Sequence, residues 1–179
     1  MGKGAKQRAQ ELRAAVRGAD ASTLATLVLD LCDVSEENRA FVDARLGVAK
    51  EPLTPYKQRI DEALYPDVFS NKPIRIAMAR KAITEYNRAA GDLRGLLELM
   101  IYYVERGTAF TADYGDIDEG FYSSIESMYD RFLTALEKGD ATTKESFRMR
   151  AKAVVDRARG IGWGFYDYLA DRFSTAYES

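Results

Sequence analysis

The stretch NKPIRIAMARKAITEYNRAAGDLRGLLELMIYYVERGTAF, residues 71–110, predicts two consecutive helices. Its first half repeats apolar residues at the three- and four-residue spacing of one helix face: Ile76, Ala79, Ile83 and Tyr86. Gly91 is a typical helix terminator, and Asp92 can cap a second helix. The inward face of that second helix is formed by Leu96, Leu99, Met100 and Tyr103. The pattern therefore indicates a helical protein.

Helical periodicity continues on both sides of this stretch, and no alternating pattern typical of a strand extends beyond a few residues. A basic first helix is predicted near residues 3–17. Eight further helices form four successive pairs, near residues 21–46, 55–90, 92–138 and 142–178. Such pairs fall in the size range of HEAT and armadillo units. We expect an all-α fold of eight or nine helices in stacked hairpins, either a HEAT-like α-solenoid or a compact multi-helix bundle.

Length and composition favour a single globular domain. The chain has 179 residues, of which 46% are hydrophobic and 30% are charged, a balance typical of folded proteins with a sizeable core. Only 4 prolines interrupt it, as expected for long helices. We expect residues 1–20 to form a basic helix or extension and residues 21–179 to form one all-helical domain.

The absence of histidine narrows the possible chemistry. With 0 histidines the chain lacks the usual general base near neutral pH, histidine-activated nucleophiles and every histidine-ligated metal site. The single cysteine, Cys32, can form neither an internal disulfide nor a thiolate zinc cluster, and its apolar surroundings predict a small buried residue. We expect no enzyme activity, no catalytic residue, no cofactor and no metal ion.

The start of the sequence, MGKGAKQRAQ, is basic but is not followed by the apolar run of a secretory signal. Lys6 stands where a myristoylation motif requires Ser or Thr. The longest apolar runs are too short and too charged for the ~20 residues that a membrane helix needs. We expect a soluble cytoplasmic protein with no membrane partner.

Two resemblances concern the fold. Residues 24–46, LATLVLDLCDVSEENRAFVDARL, resemble the helix–turn–helix phrase of HEAT-like repeats, with an apolar face formed by Leu24, Leu27, Val28 and Leu31. The segments YKQRI, YYVERGTAF and YGDIDEGFYSSIESMYDRF, within residues 56–132, resemble an all-helical family of bacterial proteins. The second resemblance implies an all-α fold and supplies no catalytic residues.

The stretch YGDIDEGFY, residues 114–122, combines acids, glycines and aromatics. As an EF-hand loop with Gly120 at position 6, it would place Gly115 where calcium needs a side-chain oxygen. The pattern instead favours a helix start, with Asp116 as N-cap and Glu119 three residues later. Two alternatives stay open. One is a carboxylate metal or catalytic site, and the other is a partner-binding corner formed by Tyr114, Asp116, Asp118 and Glu119.

Aromatic residues are numerous near the end of the sequence. The chain has 11 tyrosines, and adjacent aromatics cannot face the same side of one helix. Tyr166 and Tyr168 are the leading candidates for exposed side chains in an aromatic groove that binds a peptide. Trp163, Phe173 and Tyr177 share a helical spacing, and we expect them to lie on one buried stripe of the last helix.

Basic residues are predicted in two stripes on helix faces. The stripes consist of Arg80, Lys81 and Arg88, and of Lys144, Arg148, Lys152 and Arg159. Solvated helix faces explain such stripes, and the net charge of −2 predicts no polyanion partner by itself. The alternative is that both stripes line one side of a helical stack and hold the phosphates of a nucleic acid.

The sequence therefore predicts a non-catalytic adaptor or regulatory module that binds a protein or peptide partner. A nucleic-acid or phosphate binder that uses the basic stripes is the alternative. An enzyme that works with carboxylates and tyrosines alone is a third hypothesis, since no histidine is present. The sequence indicates neither the identity of the partner nor an oligomeric state.

Overall fold

The computed structural model describes residues 3–67 and 72–178. Within them the chain forms nine helices and no strand, which confirms the predicted all-α fold. The helices are α1 (Lys3–Gly18), α2 (Ala21–Val34), α3 (Glu36–Leu46), α4 (Thr54–Leu64), α5 (Ile76–Ala89), α6 (Leu93–Tyr114), α7 (Glu119–Leu136), α8 (Ala141–Arg157) and α9 (Phe165–Tyr177).

Short polar side chains fix several helix starts. The Asp92 carboxylate accepts a hydrogen bond from the amide of Gly95 at 2.6 Å, and the Ser35 hydroxyl accepts one from the amide of Asn38 at 3.4 Å. Gly47 ends α3 in the left-handed conformation, with φ of 66°, where a side chain would be strained. The predicted boundaries at these three positions are confirmed.

The helices pack as hairpins stacked in sequence order. α2 pairs with α3, α4 with α5, α6 with α7 and α8 with α9. Successive hairpins touch through α3 and α5, through α4 and α6, through α6 and α8, and through α7 and α9. The predicted stack of helical hairpins is therefore confirmed.

The core is centred on α6, which contacts α4, α5, α7 and α8. Leu97, Ile101 and Tyr103 of this helix are fully buried. Gly107 permits the close approach of α7, because a Cβ atom at that position would lie 2.2 Å from the Cδ1 atom of Ile125. The longest helix of the chain is thus surrounded by its neighbours.

An ion-pair cluster joins α4, α6 and α8. The guanidinium of Arg150 donates to both carboxylate oxygens of Glu105 at 2.7 Å and to Glu98 at 2.5 Å. Lys57 donates to the other oxygen of Glu98 at 2.7 Å. Burial raises the pKa of Glu98, but the hydrogen bonds and charges of Lys57 and Arg150 outweigh burial and lower it. The cluster ties the second, third and fourth hairpins together.

The last helix closes the stack through a different set of residues from the one predicted. Phe165, Leu169 and Phe173 are buried at four-residue spacing. Trp163 lies before the helix, has φ of 62° and is 65% exposed, so its predicted burial is wrong. Gly164, with φ of 71°, is the N-cap of α9, so the helix begins after Trp163 and leaves this residue outside the stripe. Tyr177 is partly buried and stacks on Phe173, with ring centroids 4.9 Å apart.

Candidate interaction surfaces

Exposed large apolar side chains are concentrated near the start of the chain. Nine of the thirteen found in the described residues lie between positions 12 and 48. We define the N-terminal apolar surface as Leu12 and Val16 of α1 with Leu27, Leu31 and Val34 of α2, which are between 42% and 81% exposed. A soluble monomer rarely leaves so many apolar side chains together in water.

Helix α1 contributes an amphipathic face that lies almost entirely in solvent. All of its described residues are exposed except Ala9, which is partly exposed. Ala9, Leu12 and Val16 share one side at spacings of three and four residues. Isolated helices of this length are marginal in water, because most helical stability comes from packing. We therefore expect α1 to need a partner surface.

Helix α2 has two different sides. Cys32 is buried, as predicted, on the side that faces α3. Leu27, Leu31 and Val34 lie on another side at spacings of four and three residues, and no described side chain covers them. The apolar face predicted in this segment therefore exists, but much of it is exposed. A shallow depression of about 390 Å³ lies beside Leu27, and its other lining residues are Ser22, Thr23, Thr26 and Asp30.

The α2–α3 hairpin that carries this face is held by polar contacts. The amide of the Asn38 side chain donates to the carbonyl of Leu31 at 2.9 Å. Arg39 donates to the Asp33 carboxylate at 2.8 Å and to the carbonyl of Cys32 at 3.4 Å. These bonds satisfy the last carbonyls of α2, which would otherwise lack partners at a helix end. The helix that carries the exposed leucines is therefore tied to α3 by hydrogen bonds.

The acidic corner at residues 114–122 is a helix start, but its cap differs from the prediction. Asp118, not Asp116, is the N-cap, and its carboxylate accepts from the amide of Phe121 at 2.8 Å. Asp116 instead accepts from the hydroxyl of Tyr122 at 3.0 Å. Gly115, with φ of 93°, ends α6, and α7 begins two residues later than a cap at Asp116 would place it.

Alanine substitutions of Asp118 and Asp116 test which of the two carboxylates caps α7. We expect Asp118→Ala to lower the free energy of unfolding by about 1 kcal/mol, since it removes the cap of α7. Asp116→Ala leaves the cap intact and is expected to cost less. Chemical denaturation of both variants measures the difference. A larger loss for Asp116→Ala would restore the original assignment.

The remaining predicted corner residues are exposed. Glu119 lies in the first turn of α7, and Tyr114 packs its ring against Phe110 and Tyr65 at centroid distances of 4.9 and 5.7 Å. Within residues 3–67 and 72–178, no group of three or more acidic or cysteine side chains is arranged to hold a metal ion. The corner presents carboxylates and one half-exposed ring, all placed by the local fold.

Many tyrosine hydroxyls donate hydrogen bonds to aspartate carboxylates. Five of them donate to aspartates, in the pairs Tyr65–Asp113, Tyr86–Asp92, Tyr102–Asp61, Tyr122–Asp116 and Tyr168–Asp130. The hydrogen bond to Asp113 raises the pKa of Tyr65 to about 12, and the bond to Asp130 raises the pKa of Tyr168 to about 12. These hydroxyls stay protonated at neutral pH and hold neighbouring helices together.

Of the two tyrosines predicted to be exposed in an aromatic groove, only Tyr168 is exposed. Tyr168 is 36% exposed, whereas Tyr166 is half-buried beneath the guanidinium of Arg159, 5.4 Å from its ring centroid. The sequence did not identify Trp163 as an exposed residue. It borders a cleft of about 300 Å³, whose lining also includes Glu119, Tyr122, Ser123 and Glu126. The run of glycines on both sides of Trp163 was the signal that could have revealed its exposure.

The first basic stripe lies on α5 and is engaged within the stack. Arg80 donates to the carbonyl of Ser124 at 3.2 Å, Lys81 pairs with Glu37 and Glu85 at 3.5 and 3.4 Å, and Arg88 lies 5.2 Å from the ring centroid of Phe41. Each cation of this stripe therefore has a partner within the fold, and Lys81 and Arg88 are exposed to solvent.

The second basic stripe, on α8 and the loop that follows, is engaged in the same way. Lys152 and Arg159 both pair with Asp156, Arg148 pairs with Glu145, and Lys144 lies 5.4 Å from the ring centroid of Tyr177. The first stripe belongs to the α4–α5 hairpin and the second to α8 and the loop after it, so the α6–α7 hairpin separates them along the chain.

Comparison with protein-family models, curated proteins and solved structures finds no match to the chain. The resemblances to HEAT-like repeats and to a bacterial helical family stay predictions. Among the described residues, no helix combines the length and apolar character needed to cross a membrane. Fold and surface together define an all-α stack of helical hairpins with an exposed apolar face at its first hairpin.

Proposed function

We propose that this chain is a non-catalytic protein-interaction module whose N-terminal apolar surface binds a helix of a protein partner. The observation that supports this function is the exposed apolar stripe on α1 and α2. Burial of apolar surface is the main driving force of most protein association. Leu27, Leu31 and Val34 are each more than 40% exposed and therefore have most to gain from a partner.

A helical partner fits this surface best. The stripe on α2 repeats at four and three residues, which is the spacing of a seam between two packed helices. Thr23 and Thr26 leave a shallow depression beside Leu27. An amphipathic helix can lay one row of apolar side chains along such an exposed face.

Nucleic-acid binding has less support. The cations of both stripes already contact carboxylates, aromatic rings or a carbonyl, so fewer charges are free to displace the counterions of a phosphate backbone.

The tyrosines with raised pKa are hydrogen-bond donors to aspartates and are poor bases. The exposed apolar surface explains more of the structure than either alternative.

Site-specific photocrosslinking in cells tests the proposal. A benzoylphenylalanine replaces Val34, which is 81% exposed on α2, in one variant, and Met149, which is 84% exposed on α8, in a matched control. We expect a discrete protein adduct from position 34 and none from position 149. Equal labelling at both positions, or none at position 34, would contradict a docking function for this surface.

A further inference from the structure

Resting on this proposed function, we infer that the partner helix is α1 of a second copy of the chain. Each copy places its α1 along the exposed stripe of the other copy's α2. The arrangement uses the same two surfaces twice and closes as a symmetric dimer. It covers the two apolar faces that the described part of a single chain leaves in water.

The two faces match in pattern and length. Ala9, Leu12 and Val16 repeat at spacings of three and four residues on α1, and the α2 stripe repeats at four and three. At a rise of about 1.5 Å per residue, the 16 residues of α1 and the 14 residues of α2 have nearly equal lengths. Helices with such rows pack side by side along their whole length.

The charges beside the two faces are complementary. Lys6, Arg8, Arg13 and Arg17 are exposed on α1, against the single acid Glu11. The exposed end of α2 and the start of α3 carry Asp30, Asp33 and Glu36. Asp30 lines the same depression as Leu27, and Asp33 is exposed, although it pairs with Arg39. A basic helix that docks on this stripe would therefore meet the Asp30 carboxylate beside Leu27, with Asp33 further around α2.

A short connection joins α1 to α2. The amide of Ala19 donates to the carbonyl of Ala15 at 3.1 Å and continues the hydrogen-bond pattern of α1. Asp20 caps α2 through bonds to the amide and hydroxyl of Thr23 at 2.8 and 2.9 Å. In this arrangement the α2 stripe stays exposed and is open to another copy.

An anionic membrane is the other surface that a basic amphipathic helix can bind. The acidic residue beside the α2 stripe disfavours it, because Asp30 would approach the negative lipid surface together with Leu27. A second copy satisfies both the basic and the acidic sides. The structure therefore favours self-association over membrane binding.

A charge-exchange experiment with the full chain tests this dimer. One variant carries Arg13→Glu and Arg17→Glu, and a second carries Asp30→Lys and Asp33→Lys. Sedimentation of the unchanged protein is expected to give about twice the chain mass of 20.1 kDa. Each variant alone is expected to dissociate at least about tenfold more readily, since like charges then face each other.

Mixing the two variants is the decisive step. In the mixed dimer, the reversed α1 meets the reversed α2, and the two unchanged elements also meet. We expect the mixture to regain the mass of a dimer, with its helical circular dichroism. Leu12→Asp with Val16→Asp provides a second variant, which is expected to be monomeric with the stack intact; Met149→Asp is the matched control and is expected to stay dimeric.

Each result that contradicts the dimer leads to a different conclusion. A monomeric unchanged protein, or a mixture that does not recover, overturns the second-copy assignment. Binding of the monomer to phosphatidylglycerol vesicles, lost on Arg13→Glu and Arg17→Glu, would assign α1 to membranes. A monomer that still gives a crosslink from position 34 to a different protein would overturn the dimer but leave the proposed docking function intact. If neither a dimer nor a crosslink from position 34 is found, both the second-copy assignment and the proposed docking function are wrong.

Discussion

A chain that lacks residues 163–179 is expected to lose cooperative thermal unfolding and to bind a hydrophobic dye. The deletion removes Phe165, Leu169 and Phe173, which are 0%, 0% and 5% exposed. Burial of each such side chain contributes about 1.5–3 kcal/mol, and their sum approaches the total stability of many domains. Loss of α9 also uncovers the faces of α7 and α8 that it contacts. A truncated protein that melts cooperatively would identify α9 as a dispensable element.

Two aromatic residues near the start of α9 provide a sharper comparison. Phe165→Ala is expected to lower the free energy of unfolding by about 3–5 kcal/mol, because the ring is fully buried and its loss leaves a cavity. Trp163→Ala is the control, since that ring is 65% exposed and is expected to cost roughly 0.5 kcal/mol or less. Urea denaturation measures both. Equal losses would mean that Trp163 packs in solution as the sequence predicted.

Replacement of Arg150 by Met is expected to destabilise the protein by about 2 kcal/mol at neutral pH. The change leaves Glu105 without its two bonds from the guanidinium and leaves Glu98 with Lys57 alone. Removing one partner of a partly buried pair costs more than removing an exposed pair, because the remaining charge stays desolvated. Arg159→Met is the control: its ion pair with Asp156 is exposed and is expected to contribute well under 1 kcal/mol.

The effect of Arg150→Met on stability is expected to depend on pH. The pKa of Glu98 is lowered in the folded chain, so this carboxylate stabilises the fold above its unfolded pKa of about 4.3. Its contribution is lost as the pH falls through the still lower folded pKa. The difference in stability between the unchanged protein and Arg150→Met should therefore shrink below about pH 4. A difference that stays constant with acidification would show that the arginine acts by packing alone.

Apolar spacing was sufficient to predict where the helices lie. Ile83 and Tyr86, which define the face of α5 in the sequence, are buried, and Ser35 and Gly47 mark the ends of helices as their side chains and backbone preferences require. These features depend on residues within a few positions of each other. Local patterns therefore recovered the helices and the stacked hairpins.

What covers each face depends on distant parts of the chain. Leu27 and Leu31 have the same spacing as core residues, and their exposure follows only from where α3 packs. Trp163 lies outside its predicted stripe because both Trp163 and Gly164 take positive φ and α9 begins only after them. Asp116 and Asp118 are equally good caps in sequence, and the structure uses Asp118. The α2 part of the N-terminal apolar surface was therefore predicted as an apolar helix face but not as an exposed one.

The position of α6 also has a consequence for synthesis on the ribosome. The first three helices and α4 and α5 emerge before it, and until Leu93–Tyr114 leaves the exit tunnel, α4 and α5 lack the neighbour that buries their inward sides. Their apolar surface is then open to other nascent chains and to chaperones. Completion of the core must wait for the second half of the chain, whereas the α2–α3 hairpin can present its leucines from an early stage. A partner that binds during translation would find its surface before the rest of the protein is folded.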